Sequence, residues 1–201
     1  MVETRPDIES ITSAQELRRW YWLKEELLSE CKRLTLRTSG GKFTLLDRIA
    51  HFHETGETVY PGDKKPKVTS KFDWHAAPLS LDTVITDNYK NSQNVRRFFK
   101  EHIGAHFKFN IASMAWMKQN VGKTLADAVN AIKALEMEAS QPGFASKIAH
   151  HNQFNQYTRD FLADNPEMGM AEVRHYWALK RALPSDDGRH RYETSDLELK
   201  A

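Results

Sequence analysis

Cysteine is all but missing from this chain: Cys31 stands alone among 201 residues. One thiol closes no intrachain disulfide and cannot supply the several sulfur ligands of a cysteine-rich zinc site. Long apolar runs are missing too. Nothing approaches the run of about eighteen apolar residues that a membrane-spanning helix needs. The opening MVETRPDIES also lacks the basic-then-apolar profile of a secretory leader. Both absences point to the cytoplasm and away from a membrane partner. A dominant charge is absent as well, because 29 lysines and arginines face 27 acids for a net charge of +2. Any polyanion-binding surface must therefore be local. No G-x-S-x-G elbow or H-E-x-x-H pair occurs, and no nucleophile–base pattern replaces them. The chain reads as a non-enzyme, with no catalytic residues, no cofactor and no metal.

What the chain does have is enough apolar material for packed cores: 40% hydrophobic residues, with five Trp and ten Phe. The length allows one large domain or two to three small ones. Ser13 and Glu16 form a capping box at the head of AQELRRWYWLKEELLSECKRL. Leu17, Trp20, Leu23, Leu27, Cys31 and Leu34 then recur at helical steps, in one long helix or two joined near Trp22. Thr38-Ser39-Gly40-Gly41 is loop chemistry, and Phe43, Leu45, Leu46, Ile49 and Phe52 resume a helical stripe. TGETVYPGDKKPKVTSK follows without apolar period, as a Lys-rich linker.

A second composition starts at Phe72. Ser92 is placed to cap a helix carrying Val95, Phe98, Phe99 and Ile103, while SLDTVITDNY before it fits a short helix or a short strand equally. From Phe109 the pattern is helical again, and from Phe154 it nearly recurs at an offset of 45 residues: a helix, a turn introduced by Asn, and a second helix. The expected organisation is an N-terminal arm (1–13), a helix–loop–helix module (14–55), a Lys-rich linker (56–71), a helical domain (72–138), a second helical hairpin (139–185) and a polar tail (186–201), poorly ordered unless its SDLEL stretch docks. The fold class is mainly α.

Gly122-Lys123-Thr124 is a tempting phosphate loop. The pattern G-x-x-x-x-G-K-[ST], however, needs a glycine where Met117 stands, and a strand where an amphipathic helix is expected. Thr124 is better read as an N-cap with Asp127 completing a capping box. The histidines give no metal set. His51 and His53 fall on different helix faces, His102 and His106 lack a third ligand, and His150 and His151 are adjacent. Cys31 lies on an apolar helix stripe, as a buried thiol would. Basic residues do gather locally: Lys32, Arg33, Arg37, Lys42 and Arg48 flank the Thr38–Gly41 bend. There cations would meet backbone amides at a helix start, an arrangement suited to phosphate oxygens, with Glu30 and Asp47 diluting it.

Residues 23 to 49, LKEELLSECKRLTLRTSGGKFTLLDRI, resemble a SAP domain, the short helix–extended loop–helix module of chromatin-associated proteins. The likeness is carried by Leu27, Cys31, Leu34, Leu36, Thr38-Ser39-Gly40, Lys42, Leu45, Leu46 and Ile49. It implies duplex DNA as partner, with contacts from Arg37, Ser39, Gly40, Gly41, Lys42 and Arg48; the local basic cluster adds Lys32 and Arg33 to the expected nucleic-acid-binding residues. One departure is Thr35, where the family usually has glycine. Residues 72 to about 135 resemble a domain of unknown function that often follows SAP-like segments in bacterial proteins, and that likeness implies no activity. The expectation is a nucleic-acid-binding protein of weak sequence selectivity. The alternative is a protein-interaction adaptor or self-associating scaffold, should Trp74, Phe98, Phe99, Phe107, Phe109 and Trp116 form an exposed patch.

Overall fold

The computed structural model describes residues 3–64, 67–149 and 151–200, so His150 lies outside the described residues. Among those, the chain forms eight α-helices and no strand: α1 (Ala14–Arg19), α2 (Lys24–Arg33), α3 (Lys42–Thr55), α4 (Gln93–His102), α5 (Ile111–Gln119), α6 (Leu125–Ala139), α7 (Gln153–Asp164) and α8 (Met170–Lys180). The chain is mainly helical, as its periodicity predicts. Two compact units divide it: Met1–Lys65 together with Ile148–Ala201, and Pro66–Lys147.

In the first unit α1 and α2 both pack on α3. Ser13 Oγ accepts the Glu16 amide at 3.0 Å and starts α1. The long-helix alternative fails at Trp20, which is extended (φ −108°, ψ 149°). In an extended segment neighbouring side chains point to opposite sides. Trp20 and Trp22 thus enter one core with Leu17, Leu27, Cys31, Leu45 and Ile49. Tyr21 between them turns to another, its ring edge-on to Trp177 at 5.2 Å. The single cysteine is buried there, and burial pushes its thiol pKa up.

The end of α2 explains Thr35. The Leu36 amide donates to the Cys31 carbonyl at 2.7 Å and the Thr35 amide to Lys32 at 3.1 Å. This is the double bond pattern of a Schellman cap, with Thr35 at the left-handed position. Its φ is +58°, the one positive value on a non-glycine residue among those described. A β-branched residue is disfavoured there.

The C-terminal part of this unit pairs α7 with α8 around Tyr157, Phe161, Val173 and Trp177. The tail is ordered, and its SDLEL stretch docks, the alternative to disorder that the sequence left open. His190 and Asp196 are buried, Tyr192 and Leu197 pack on the aromatic cluster, and a 3₁₀ turn (Thr194–Glu198) lies against α8. Its polar groups find partners in the helices. Lys180 Nζ reaches Glu193 and Asp196, both at 2.8 Å, and the Tyr192 hydroxyl donates to Asp164 at 2.7 Å. Low hydrophobicity concealed a segment held by charge and hydrogen bonds.

The second unit is built on Trp74. Its indole N–H donates to Thr86 Oγ1 (2.9 Å) and Asn88 Oδ1 (3.1 Å). Ser92 Oγ donates to the Trp74 carbonyl while accepting the Val95 amide to cap α4. SLDTVITDNY is neither helix nor strand; one antiparallel bridge joins Val84 to Thr124. Of the six aromatic residues singled out above, Trp74, Phe98, Phe99 and Phe107 are buried. Phe109 and Trp116 pack against the same core, half-buried.

The Gly122-Lys123-Thr124 joint is a turn between α5 and α6. Gly122 has φ +95°, and Thr124 and Asp127 cap each other, the Asp127 amide donating to Thr124 Oγ1 at 3.2 Å and the Thr124 amide to Asp127 Oδ2 at 3.0 Å. In the other unit, the α7–α8 joint makes matching contacts. The Asn165 side chain donates to the Phe161 carbonyl as Asn120 does to Trp116, and Glu172 accepts the Gly169 amide.

Replacing Thr35 with glycine removes the left-handed penalty of roughly 1–2 kcal/mol against a backbone-entropy cost of roughly 0.5–1 kcal/mol. Thr35→Gly should gain up to about 1 kcal/mol in urea unfolding. A loss of stability would show that the threonine side chain contributes something the cap geometry does not reveal.

Candidate functional site

The bend between α2 and α3 is organised from beneath by Arg48. This side chain is 3% exposed and paired with Asp63, which comes from a 3₁₀ turn (Pro61–Asp63) in the expected linker. Its Nε and Nη2 donate to the two Asp63 oxygens at 2.9 and 2.6 Å. Its Nη1 donates to the backbone carbonyls of Arg37 (2.7 Å) and Ser39 (2.6 Å). The carbonyls of the bend therefore face inward onto a buried cation. Arg48, expected as a contact to the partner, is a structural clamp, and residues 60–63 are pinned rather than free. Hydrogen bonding to Asp63 raises the Arg48 pKa, and the same bond holds the Asp63 carboxyl below its ordinary value.

Amides of the bend behave differently. Among the described residues, those of Thr38, Ser39, Gly40, Gly41 and Lys42 donate to no acceptor within the chain, and α3 begins at Gly41 without a side-chain cap. Gly40 is required here: its φ is +122°, and a Cβ would sit 3.2 Å from the Thr44 side chain. Arg37 Nε donates to Ser39 Oγ at 2.8 Å, which orients the exposed guanidinium; among the described residues its terminal nitrogens have no acceptor. Lys32 is exposed in the last turn of α2.

The other two expected cations are engaged. Arg33 holds buried Glu30 in a bidentate pair at 2.8 and 2.6 Å, and that bond raises its pKa. Lys42 is half-buried, its Nζ 3.4 Å above the centre of the Tyr21 ring. Burial is the main cause that brings its pKa down to about 8. Of the eight expected residues, the structure thus brings Arg37, Ser39, Gly40 and Gly41 to one exposed bend with Lys32 near it. It commits Arg33 to Glu30, Lys42 to the Tyr21 ring and Arg48 to the underside of the bend. Asp63 is the residue that sequence reasoning missed: fifteen positions from Arg48 in a stretch without periodicity, it gave no signal beyond being an acid among lysines.

The second unit contrasts in its electrostatics. It has eleven lysines and arginines against seven acids. Among its described residues no lysine or arginine has an ion pair; the single pair is His106–Glu136 at 3.7 Å. Three acids are occupied by backbone amides instead: Asp73 at His75, Asp87 at Thr69 and Ser70, and Asp127 at Thr124. Two of its cations lie over half-buried rings, Arg96 over Phe109 at 5.2 Å and Lys123 over Trp116 at 5.7 Å.

Residues 72–135 match the model of a family described as a domain of unknown function, DUF6434. This agrees with the likeness read from FDWHAAPLSLDTVITDNYKNSQNVRRFFKEHIG. No curated protein matches the chain, and no solved structure does. No described helix is long and apolar enough to cross a membrane.

Removing the clamp's acid tests the organisation of the bend. Asp63→Asn should cost on the order of 2 kcal/mol, because it leaves a buried guanidinium short of its counter-charge. Since the folded pKa of Asp63 is depressed, its stabilising effect is present above the ordinary carboxylate range and is lost as pH falls through the lowered value. The variant's stability should therefore fall less steeply in acid than the wild type's. Identical urea midpoints at pH 7 would contradict the clamp.

Proposed function

We propose that the chain is a non-enzymatic, cytoplasmic nucleic-acid-binding protein whose N-terminal bend, a SAP-like element, grips the phosphate backbone of duplex DNA. One observation carries this reading. Arg48 turns the Arg37 and Ser39 carbonyls of the bend inward, and among the described residues the amides of residues 38–42 have no acceptor. A run of unpaired amides at a helix start is a seat for a phosphate oxygen, by hydrogen bonding and by the helix dipole together. Arg37, held by Ser39, and Lys32 add charge beside it.

The second unit supports the same partner class. Among its described residues no lysine or arginine has an acid partner, and neutralising such charges by phosphates releases counterions from the nucleic acid. Contacts of this kind read no base edges, so selectivity for sequence is weak and sensitivity to salt is strong.

Fluorescence anisotropy of a labelled duplex with the full-length chain, at low and moderate salt, measures this directly. Arg37→Glu should weaken binding about tenfold and lower the salt slope by about one, while Lys42→Met should leave affinity within about twofold because its ammonium lies over Tyr21. Absence of binding at micromolar protein in low salt would end the proposal. Equal affinity for the wild type and Arg37→Glu would move any binding away from this bend.

A further inference from the structure

Behind the bend, on the side of α3 that Lys42 opens, the first unit contains a cleft of about 200 Å³. Its apolar walls are Tyr21, Phe43 and Leu46, with Trp20 and Trp22 beneath; its polar rim includes Arg18, Lys42, Gln153, Asp187 and Arg189. Most of that rim is saturated. Arg18 is paired with Asp47 at 2.9 Å and Asp187 with Arg191 at 2.6 Å. Gln153 donates to the Gly188 carbonyl at 3.0 Å and accepts the His190 amide at 2.9 Å. Lys42 and Arg189 differ: among the described residues neither side chain has an acid partner or a hydrogen-bond acceptor, and Lys42 has only the Tyr21 ring.

A half-buried ammonium without an acceptor is costly unless a ligand completes it. The surrounding charges favour an anion. Among the described residues Arg181 at the end of α8 and Arg189 in the C-terminal tail face Lys42 without acid partners of their own, whereas Arg5 is met by Glu26, Arg18 by Asp47, and burial lowers the pKa of His190. Against them stands Glu25 of α2, which acts on Lys42 without touching it, while Asp187 is already held by Arg191.

We propose that this cleft binds a small carboxylate- or phosphate-bearing molecule with an apolar body, its anionic head between Lys42 and Arg189 and its body on Tyr21, Phe43 and Leu46. The cleft uses the Lys42 side chain where the bend offers only that residue's amide, and its binding does not depend on DNA binding. A bound anion stabilises the protonated amine, which in the free protein loses its proton near pH 8. Binding is therefore linked to proton uptake, and affinity falls as pH rises through that value.

The test is an NMR titration of the full-length chain with phenylacetate and, in a parallel arm, phenyl phosphate, with benzyl alcohol as the uncharged control. At least one anion should give saturable shifts at the α3 amides from Lys42 to Leu46 and at the Trp indoles. The affinity for phenylacetate, whose own charge is constant over this range, should drop roughly tenfold between pH 7 and pH 9. Lys42→Met should lose at least about tenfold in affinity. Arg189→Gln, at an exposed position, should lose about threefold and keeps the test open if Lys42→Met fails to fold. Saturation by neither anion below about 10 mM, benzyl alcohol binding as tightly as phenylacetate, or affinities unchanged in both variants would each overturn the proposal.

Discussion

One buried guanidinium determines the shape of the N-terminal module. Arg48 holds two carbonyls of the bend and both oxygens of Asp63, so a single side chain closes α3 against the loop before it and the turn after it. The constraint has a direction. With the Arg37 and Ser39 carbonyls committed inward, the N–H groups of the same two planar peptide units, those of Thr38 and Gly40, point the other way. Gly40 makes the bend possible by adopting a φ barred to other residues. Thr35 makes α2 end where it does, at some conformational expense.

Local structure was largely legible in the chain. Ser13 with Glu16, Ser92, and Thr124 with Asp127 are capping signals complete within three residues, and each starts a helix where expected. The Gly122-Lys123-Thr124 triplet was readable as a joint because the residues around it had helical period. Tertiary partnerships were not legible. Arg33, Lys42 and Arg48 look alike as a cluster of charges, yet Glu30, the Tyr21 ring and Asp63 assign them to three different jobs. The tail misled for a related reason: its order comes from Lys180, Asp164 and Asn165, residues of the helices rather than its own. Periodicity reports which face is apolar; it is silent on which distant acid a cation will meet.

The two units handle charge in opposite ways. In the first, arginines are bound into pairs that join distant segments: Arg18 with Asp47, Arg19 with Glu3, Arg5 with Glu26, Arg48 with Asp63. In the second, three acids accept backbone amides, and among the described residues no lysine or arginine has an acid partner. Near-neutrality of the whole chain thus conceals a self-satisfied unit and a cationic one.

The first unit is assembled from both sides of the second in the order of the chain. Gly188 shows how close that assembly is, since a Cβ there would come within 2.6 Å of the Arg18 carbonyl oxygen, and the Ser185 amide donates to the Arg19 carbonyl at 2.8 Å. On the ribosome, α1 to α3 emerge long before the residues that cover Tyr21. The inserted unit is complete while its host is still waiting, so translation imposes a sequence of events in which the middle of the polypeptide can fold before its beginning.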